Sequence, residues 1–228
     1  MARPRTAMAV SVALAALVAM VVYAVMWVGY CQSWTWLHRV DGSSLSAAYD
    51  IGIKHPAWVR FWAGVSFALG PVPLRLLGMV AAVAAAMQRH VRAALVLLAC
   101  GPLNGFVTSA AKGLANRPRP STALVAASGA SFPSGHALEA TAALLALLTF
   151  LLPMMSRLLG RVAISVTALS LLSVGIARVA LNVHYPSDVL AGWSLGYLYF
   201  LLCLLAFRPW KNVRIAGGER PSELAGAG

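Results

Sequence analysis

Charge is what this 228-residue sequence has least of. Only 11% of its residues are Asp, Glu, Lys or Arg, and just six are acidic. A soluble domain carries about 25% charged and about 45–50% apolar residues. Here the apolar share is 60% and the mean hydropathy is +0.78. That excludes a water-soluble globule, because a 24.0 kDa chain cannot hide so much apolar surface. Disorder is excluded too, since it requires low hydrophobicity and high charge. Cysteine is also scarce. Cys31, Cys100 and Cys203 are odd in number, far apart and without metal-ligand spacing, so neither a disulfide framework nor a metal site is implied. Cys100 and Cys203 read as small packing residues inside apolar runs. No internal repeat of useful strength is present. What remains is an all-α integral membrane protein forming one helical domain.

The 18 Lys and Arg give a net charge of +12, which raises nucleic acid as a partner. A nucleic-acid binder gathers its cations in runs or on one face. Here they fall in small groups between apolar stretches, as short cytoplasmic loops require. No nucleic-acid partner is expected.

The apolar pattern predicts six spans. Ala7 to Tyr30 follows Arg3 and Arg5. It is longer than the apolar core of a cleaved signal peptide (about 7–15 residues), so it reads as a retained helix with a cytoplasmic N-terminus. Within the more polar stretch 31–55, Ser43 to Ile53 reads as a short interfacial helix, with Trp34, Trp36 and Trp58 as anchors. Ala57 to Met87 is interrupted at Gly70-Pro71-Val72-Pro73, giving a re-entrant or kinked entry before a second span near Leu74 to Met87. Further spans are expected over Val91–Ala111, Gly135–Met155, Val162–Asn182 and Pro186–Phe207. Residues 1–207 form the membrane domain in this reading, and 208–228 a basic, mobile cytoplasmic tail. The predicted inside segments hold Arg3, Arg5, Arg89, Arg92, Arg157, Arg161, Arg208, Lys211, Arg214 and Arg220. The outside holds Arg39, Lys54, Arg60, Arg75, Lys112, Arg117, Arg119 and Arg178. Ten against eight is a small bias, but four of the eight have another reason to lie outside.

Those four fall in polar clusters that the topology brings to one face. Lys112–Pro120 ends span three, Pro133–His136 opens span four, and Arg178–Asp188 joins spans five and six. Converging there, they make a pocket of three cations, two histidines and one carboxylate, a balance suited to phosphate. Ser134-Gly135 opens a helix whose free N–H groups can cradle phosphate oxygens. Arg119 and Arg178 offer planar forks, and Lys112 adds a point charge. His184 and Asp188 stand one helical turn apart, with Pro186 suited to the first turn. Asp188 can then accept a hydrogen bond from the Nδ1–H of His184, leaving Nε2 as a nucleophile. His136 is free to protonate a leaving oxygen. Glu139 shares a helix face with His136 and reads as tuning it or pairing with a cation, against a structural or capping role. Arg117 reads either as a headgroup-binding flank or as a supporting residue.

The motifs resemble those of the type 2 phosphatidic acid phosphatase superfamily, in its membrane lipid phosphatase branch. Its first motif, Lys, six residues, Arg-Pro, stands as Lys112 to Arg119-Pro120. The second, Pro-Ser-Gly-His, stands as Pro133-Ser134-Gly135-His136. The third, Ser-Arg, five residues, His, three residues, Asp, stands as Ala177-Arg178 to His184 to Asp188. Ala177 replaces the usual Ser and removes one phosphate hydrogen bond. Three motifs in order with matching spacings are highly specific.

The resemblance implies a metal-independent, cofactor-free phosphatase acting on a membrane lipid through a phosphohistidine. His184 attacks, Asp188 orients it and His136 moves the proton. Lys112, Arg119, Arg178, Ser134 and Gly135 hold the phosphoryl oxygens. Phosphatidic acid, phosphatidylglycerol phosphate and undecaprenyl pyrophosphate all fit as substrates, in a plasma membrane with both termini cytoplasmic and the site near the outer face. The competing classes are phosphoryl transfer to an acceptor other than water, a non-catalytic lipid-binding relative, and a vanadate haloperoxidase. The membrane character argues against the last. The sequence assigns no oligomeric state.

Overall fold

The computed structural model describes residues 4–207, so the predicted tail 208–228 lies outside the described residues. Among the described residues the chain is all-helical. The elements are α1 (Pro4–Cys31), α2 (Thr35–Lys54), α3 (Pro56–Ala68), α4 (Pro71–Met87), α5 (Val91–Cys100), α6 (Asn104–Ala115), α7 (Gly135–Leu151), α8 (Arg157–Ala180) and α9 (Pro186–Ala206), with a short 3-10 turn after α7. Six segments are long and apolar enough to cross a membrane: Thr6–Cys31, Pro56–Met87, Val91–Ala115, Gly135–Met154, Arg157–Ala180 and Pro186–Ala206. Their outward faces are aliphatic, as at Leu14, Val80 and Leu169, where lipid tails replace water.

The structure revises three boundaries. The interfacial helix begins at Thr35, not Ser43, and so takes in Asp41. Span three is not continuous: it breaks between α5 and α6 at Gly101-Pro102-Leu103. Pro102 has no N–H and clashes with the preceding turn. Asn104 answers the break by donating Nδ2 to the Cys100 carbonyl at 2.6 Å and to the Glu139 carbonyl at 3.3 Å, which satisfies backbone that lipid could not. Span five starts five residues early. Ser156 caps it, accepting from the Leu159 N–H at 3.4 Å, so Arg157 and Arg161 lie within α8 and not in a turn before it. The Gly70 break is a corner between α3 and α4, with Pro71 in the first turn of α4.

Helix α7 is the hub, packing against α4, α5, α6, α8 and α9. It meets α9 closely because Gly192 presents no side chain; a Cβ there would stand 2.6 Å from the Ser134 carbonyl oxygen. Small residues serve this purpose in membrane bundles, where van der Waals packing must replace the hydrophobic drive. The approach sets the first turn of α7 beside that of α9, and the Ser134 N–H donates to the Asp188 carbonyl at 2.9 Å.

Candidate functional site

Asp188 is completely buried in the first turn of α9 and collects four donors. Arg117 Nη1 donates to Oδ1 at 2.7 Å. On Oδ2 converge the Tyr185 N–H at 3.0 Å, the Ser131 hydroxyl and His184 Nδ1 at 3.3 Å. A carboxylate so surrounded is fixed in position and satisfied as an anion.

His184 precedes α9 and is 1% exposed. Its other nitrogen, Nε2, lies 3.1 Å from Arg119 Nη1. A guanidinium has donors only, so this contact is attractive only if Nε2 presents its lone pair. The proton must then sit on Nδ1, facing Asp188. Burial pulls the imidazole down to about 4, against the opposing hydrogen bond and charge of Asp188, so it is neutral near pH 7. Burial likewise lowers Arg119 and raises Tyr185 from their ordinary values.

The phosphate-type cations face one cavity of about 470 Å³, lined by Lys112, Arg119, Gly135, His136, Arg178, His184 and Glu139. Lys112, in the last turn of α6, donates to the Ala130 carbonyl at 2.6 Å. Arg119 donates to the Ser128 and Gly129 carbonyls at 3.0–3.1 Å and to the Val183 carbonyl at 2.8 Å. Backbone carbonyl oxygens thus occupy cation positions that phosphate oxygens can take over. Six buried side-chain polar atoms lack partners among the described residues, and two of them, Ser134 Oγ and Arg178 Nε, belong to this cluster. Buried polar atoms seldom go unpaired, and here both belong to residues expected to bind an anion. Gly135 lies tight against its neighbours, since a Cβ would meet Thr108 Cγ2 at 2.9 Å. His136 reaches the α3–α4 corner, its Nε2 3.3 Å from where a Gly70 Cβ would stand.

The structure thus brings His184, Asp188, His136, Lys112, Arg119, Gly135 and Arg178 together, with Ser134 at the N-terminus of α7. Arg117 stands behind the cavity, not in it, sandwiched between the Tyr30 and Tyr185 rings with its Cζ 4.8 and 3.9 Å from their centroids. Glu139 takes the cation option: Arg75 Nη2 and Nε contact its Oε2 at 2.7 and 3.0 Å.

Sequence reasoning missed five supporting residues. Asp41 is 1% exposed and pairs with Arg117 Nη2 at 2.9 Å; it also accepts from the Ser187 N–H at 3.0 Å and the Ser187 hydroxyl at 2.6 Å. Ser131 serves Asp188, Ser66 accepts from Arg178 Nη1 at 2.7 Å, and Arg75 serves Glu139. Asp41 alone left a signal, as one of only six acids in a chain rich in cations.

Comparison with known proteins bears on the family and the fold. The curated "Phosphatidylglycerophosphatase B" of Bacillus subtilis (strain 168) is 44% identical over 90 residues, 38% of this chain and 44% of that protein, so the match spans less than half the relative's length. A crystal structure described as the first transmembrane PAP2 type phosphatidylglycerolphosphate phosphatase from Bacillus subtilis superposes with a TM-score of 0.71 at 26% identity, covering 89% of this chain and 98% of that one. The family model described as the PAP2 superfamily matches residues 90–211, a stretch that holds all three motifs and more than half of the sequence, and on that ground the chain belongs to the PAP2 superfamily.

Proposed function

We propose that this membrane protein is a lipid phosphate phosphatase that works through a phosphohistidine on His184. The observation that carries the reading is the line Asp188–His184–Arg119, in which a donor-only guanidinium and a buried carboxylate leave the lone pair on Nε2. In the first step Nε2 forms a bond to phosphorus and the phosphorus–oxygen ester bond breaks. His136 gives its proton to the departing oxygen. In the second step water attacks phosphorus, His136 takes a proton from it, and His184 leaves with its electron pair. Lys112, Arg119, Arg178 and the Ser134–Gly135 turn stabilise the charged oxygens throughout, the main source of rate in phosphoryl transfer.

The names of the relatives favour phosphatidylglycerol phosphate as the substrate. Metal independence is part of the proposal. So is placement in the plasma membrane with the site toward the outer face, supported by the loop charges. The test is phosphate release in detergent with chelator present, on phosphatidylglycerol phosphate, phosphatidic acid and a polyprenyl pyrophosphate. Wild type releases phosphate and gives an acid-labile phosphoprotein on rapid quenching. His184→Ala gives neither. Release by the variant at the wild-type rate sinks the mechanism.

A further inference from the structure

Glu139 is out of place in an anion pocket. It lines the same cavity as Lys112, Arg119 and Arg178, and its carboxylate repels any phosphate that enters. Its partner Arg75 is costly as well, since it sits in a membrane-spanning segment with its side chain 38% exposed. Only Glu139 of the pair is buried, and a buried charge is costly to the fold even when paired. The pair therefore calls for a ligand.

Geometry says which kind. Glu139 lies one turn into α7 from Gly135, about 6 Å toward the bilayer interior at 1.5 Å per residue. Arg75 Nε and Nη2 both contact Oε2 of Glu139, which leaves Oε1 outside the ion pair, 4.0 Å from where a Gly135 Cβ would stand beside the cation cluster. The guanidinium lies across α6 at Gly105, where a Cβ would collide with it. From the phosphate cluster toward lipid, a substrate meets first an acceptor and then a half-exposed cation.

We infer that Arg75 and Glu139 form a headgroup subsite for a lipid carrying two phosphates joined by a hydroxyl-bearing glycerol. This rests on the phosphatase reading above. The terminal phosphomonoester occupies the cation cluster. The glycerol hydroxyl donates to Glu139 Oε1, and the phosphodiester accepts from Arg75. Phosphatidic acid has no second phosphate to offer. In a polyprenyl pyrophosphate the two phosphates share one bridging oxygen, with no hydroxyl-bearing glycerol between them.

The test compares kcat and KM on phosphatidylglycerol phosphate, phosphatidic acid and a polyprenyl pyrophosphate in mixed micelles. The variants are the double substitution Arg75→Gln/Glu139→Gln, which removes both charges together, and Gly105→Ala, which keeps both but displaces the guanidinium. Each should lower kcat/KM for phosphatidylglycerol phosphate relative to phosphatidic acid at least tenfold, with the change in KM. An unchanged ratio in folded variants, or a parallel fall in kcat on every lipid, overturns the subsite. If the double variant fails to fold, Gly105→Ala decides. Wild type acting on phosphatidic acid or pyrophosphate but not phosphatidylglycerol phosphate overturns the subsite and spares the phosphatase reading. Wild type inert on all three overturns both.

Discussion

At the scale of single residues, the site is a matter of keeping one imidazole neutral inside a crowd of cations. His184 has a hydrogen-bonded carboxylate on one side and an arginine on the other; burial, helped by the charges of Arg178 and Arg119, outweighs the carboxylate and pulls it down to about 4. The ordinary histidine value is about 6.5. Between these values the unfolded chain binds the proton that the folded chain refuses, so stability rises with pH through this window. It is fully present above about 6.5 and is lost as pH falls toward 4. The expected outcome is a melting temperature in detergent that drops between pH 7 and pH 4, with a shallower drop for His184→Gln. Equal slopes would mean that His184 is not held neutral by its surroundings. Well above pH 4 the proposed nucleophile needs no general base, because Nε2 of the neutral imidazole already carries its lone pair.

At the scale of elements, the question is how an interfacial helix comes to matter to chemistry at the start of α9. Asp41 on α2 and Asp188 on α9 both hold Arg117, from the loop after α6, and Asp41 also fixes both polar groups of Ser187. Three segments are thereby locked behind the imidazole. Asp41→Asn keeps the shape and removes one charge. Since Asp188 still faces Arg117, the expected cost is about 1–3 kcal/mol, the range for a buried group losing one partner, not the 3–5 kcal/mol of a wholly unpaired buried charge. Misplacement of Asp188 should lower kcat roughly ten- to a hundredfold with KM little moved. Arg117→Gln, which leaves two carboxylates facing each other, should be worse, and the double variant milder than the sum of the two. Thermal melts and steady-state kinetics on the four proteins check this, and strict additivity would refute the coupling. Such cross-chain pairs were not legible in the sequence. Motif spacing placed His184, Asp188, Arg119 and Arg178 because each lies within a local frame. Asp41 and Ser66 reach the site only through packing, 76 positions from Arg117 in one case and 112 from Arg178 in the other. The Gly101-Pro102 break escaped for a different reason: its flanks are apolar, and hydropathy alone reads them as one span.

At the scale of the whole molecule, six apolar segments were legible because bilayer thickness imposes their length. Orientation is a finer matter, because the loop charges differ by only ten to eight. The fold adds a constraint, since the strap 116–134 and the loop 181–185 are tied together at one end of the bundle. Thr122 Oγ1 donates to Asn182 Oδ1 at 2.6 Å, and the Leu124 N–H to the Leu181 carbonyl at 3.0 Å. Gln88 and Arg89, between α4 and α5, lie at the opposite end of the intervening spans. A single pair of labels therefore decides the orientation. Cys100 and Cys203 are buried and Cys31 is exposed, so Cys31→Ala gives a background with no accessible thiol. Exposed Ser121 and Gln88 are then changed to Cys in separate chains. With the site facing outward, a membrane-impermeant maleimide added to intact cells labels the chain carrying Ser121→Cys. It labels the chain carrying Gln88→Cys only after the membrane is opened. The reverse pattern would place the phosphate cavity on the cytoplasmic side. Lys112, Arg117, Arg119 and Arg178 would then count toward the positive-inside bias, and the lipid phosphate would have to be presented from the inner leaflet.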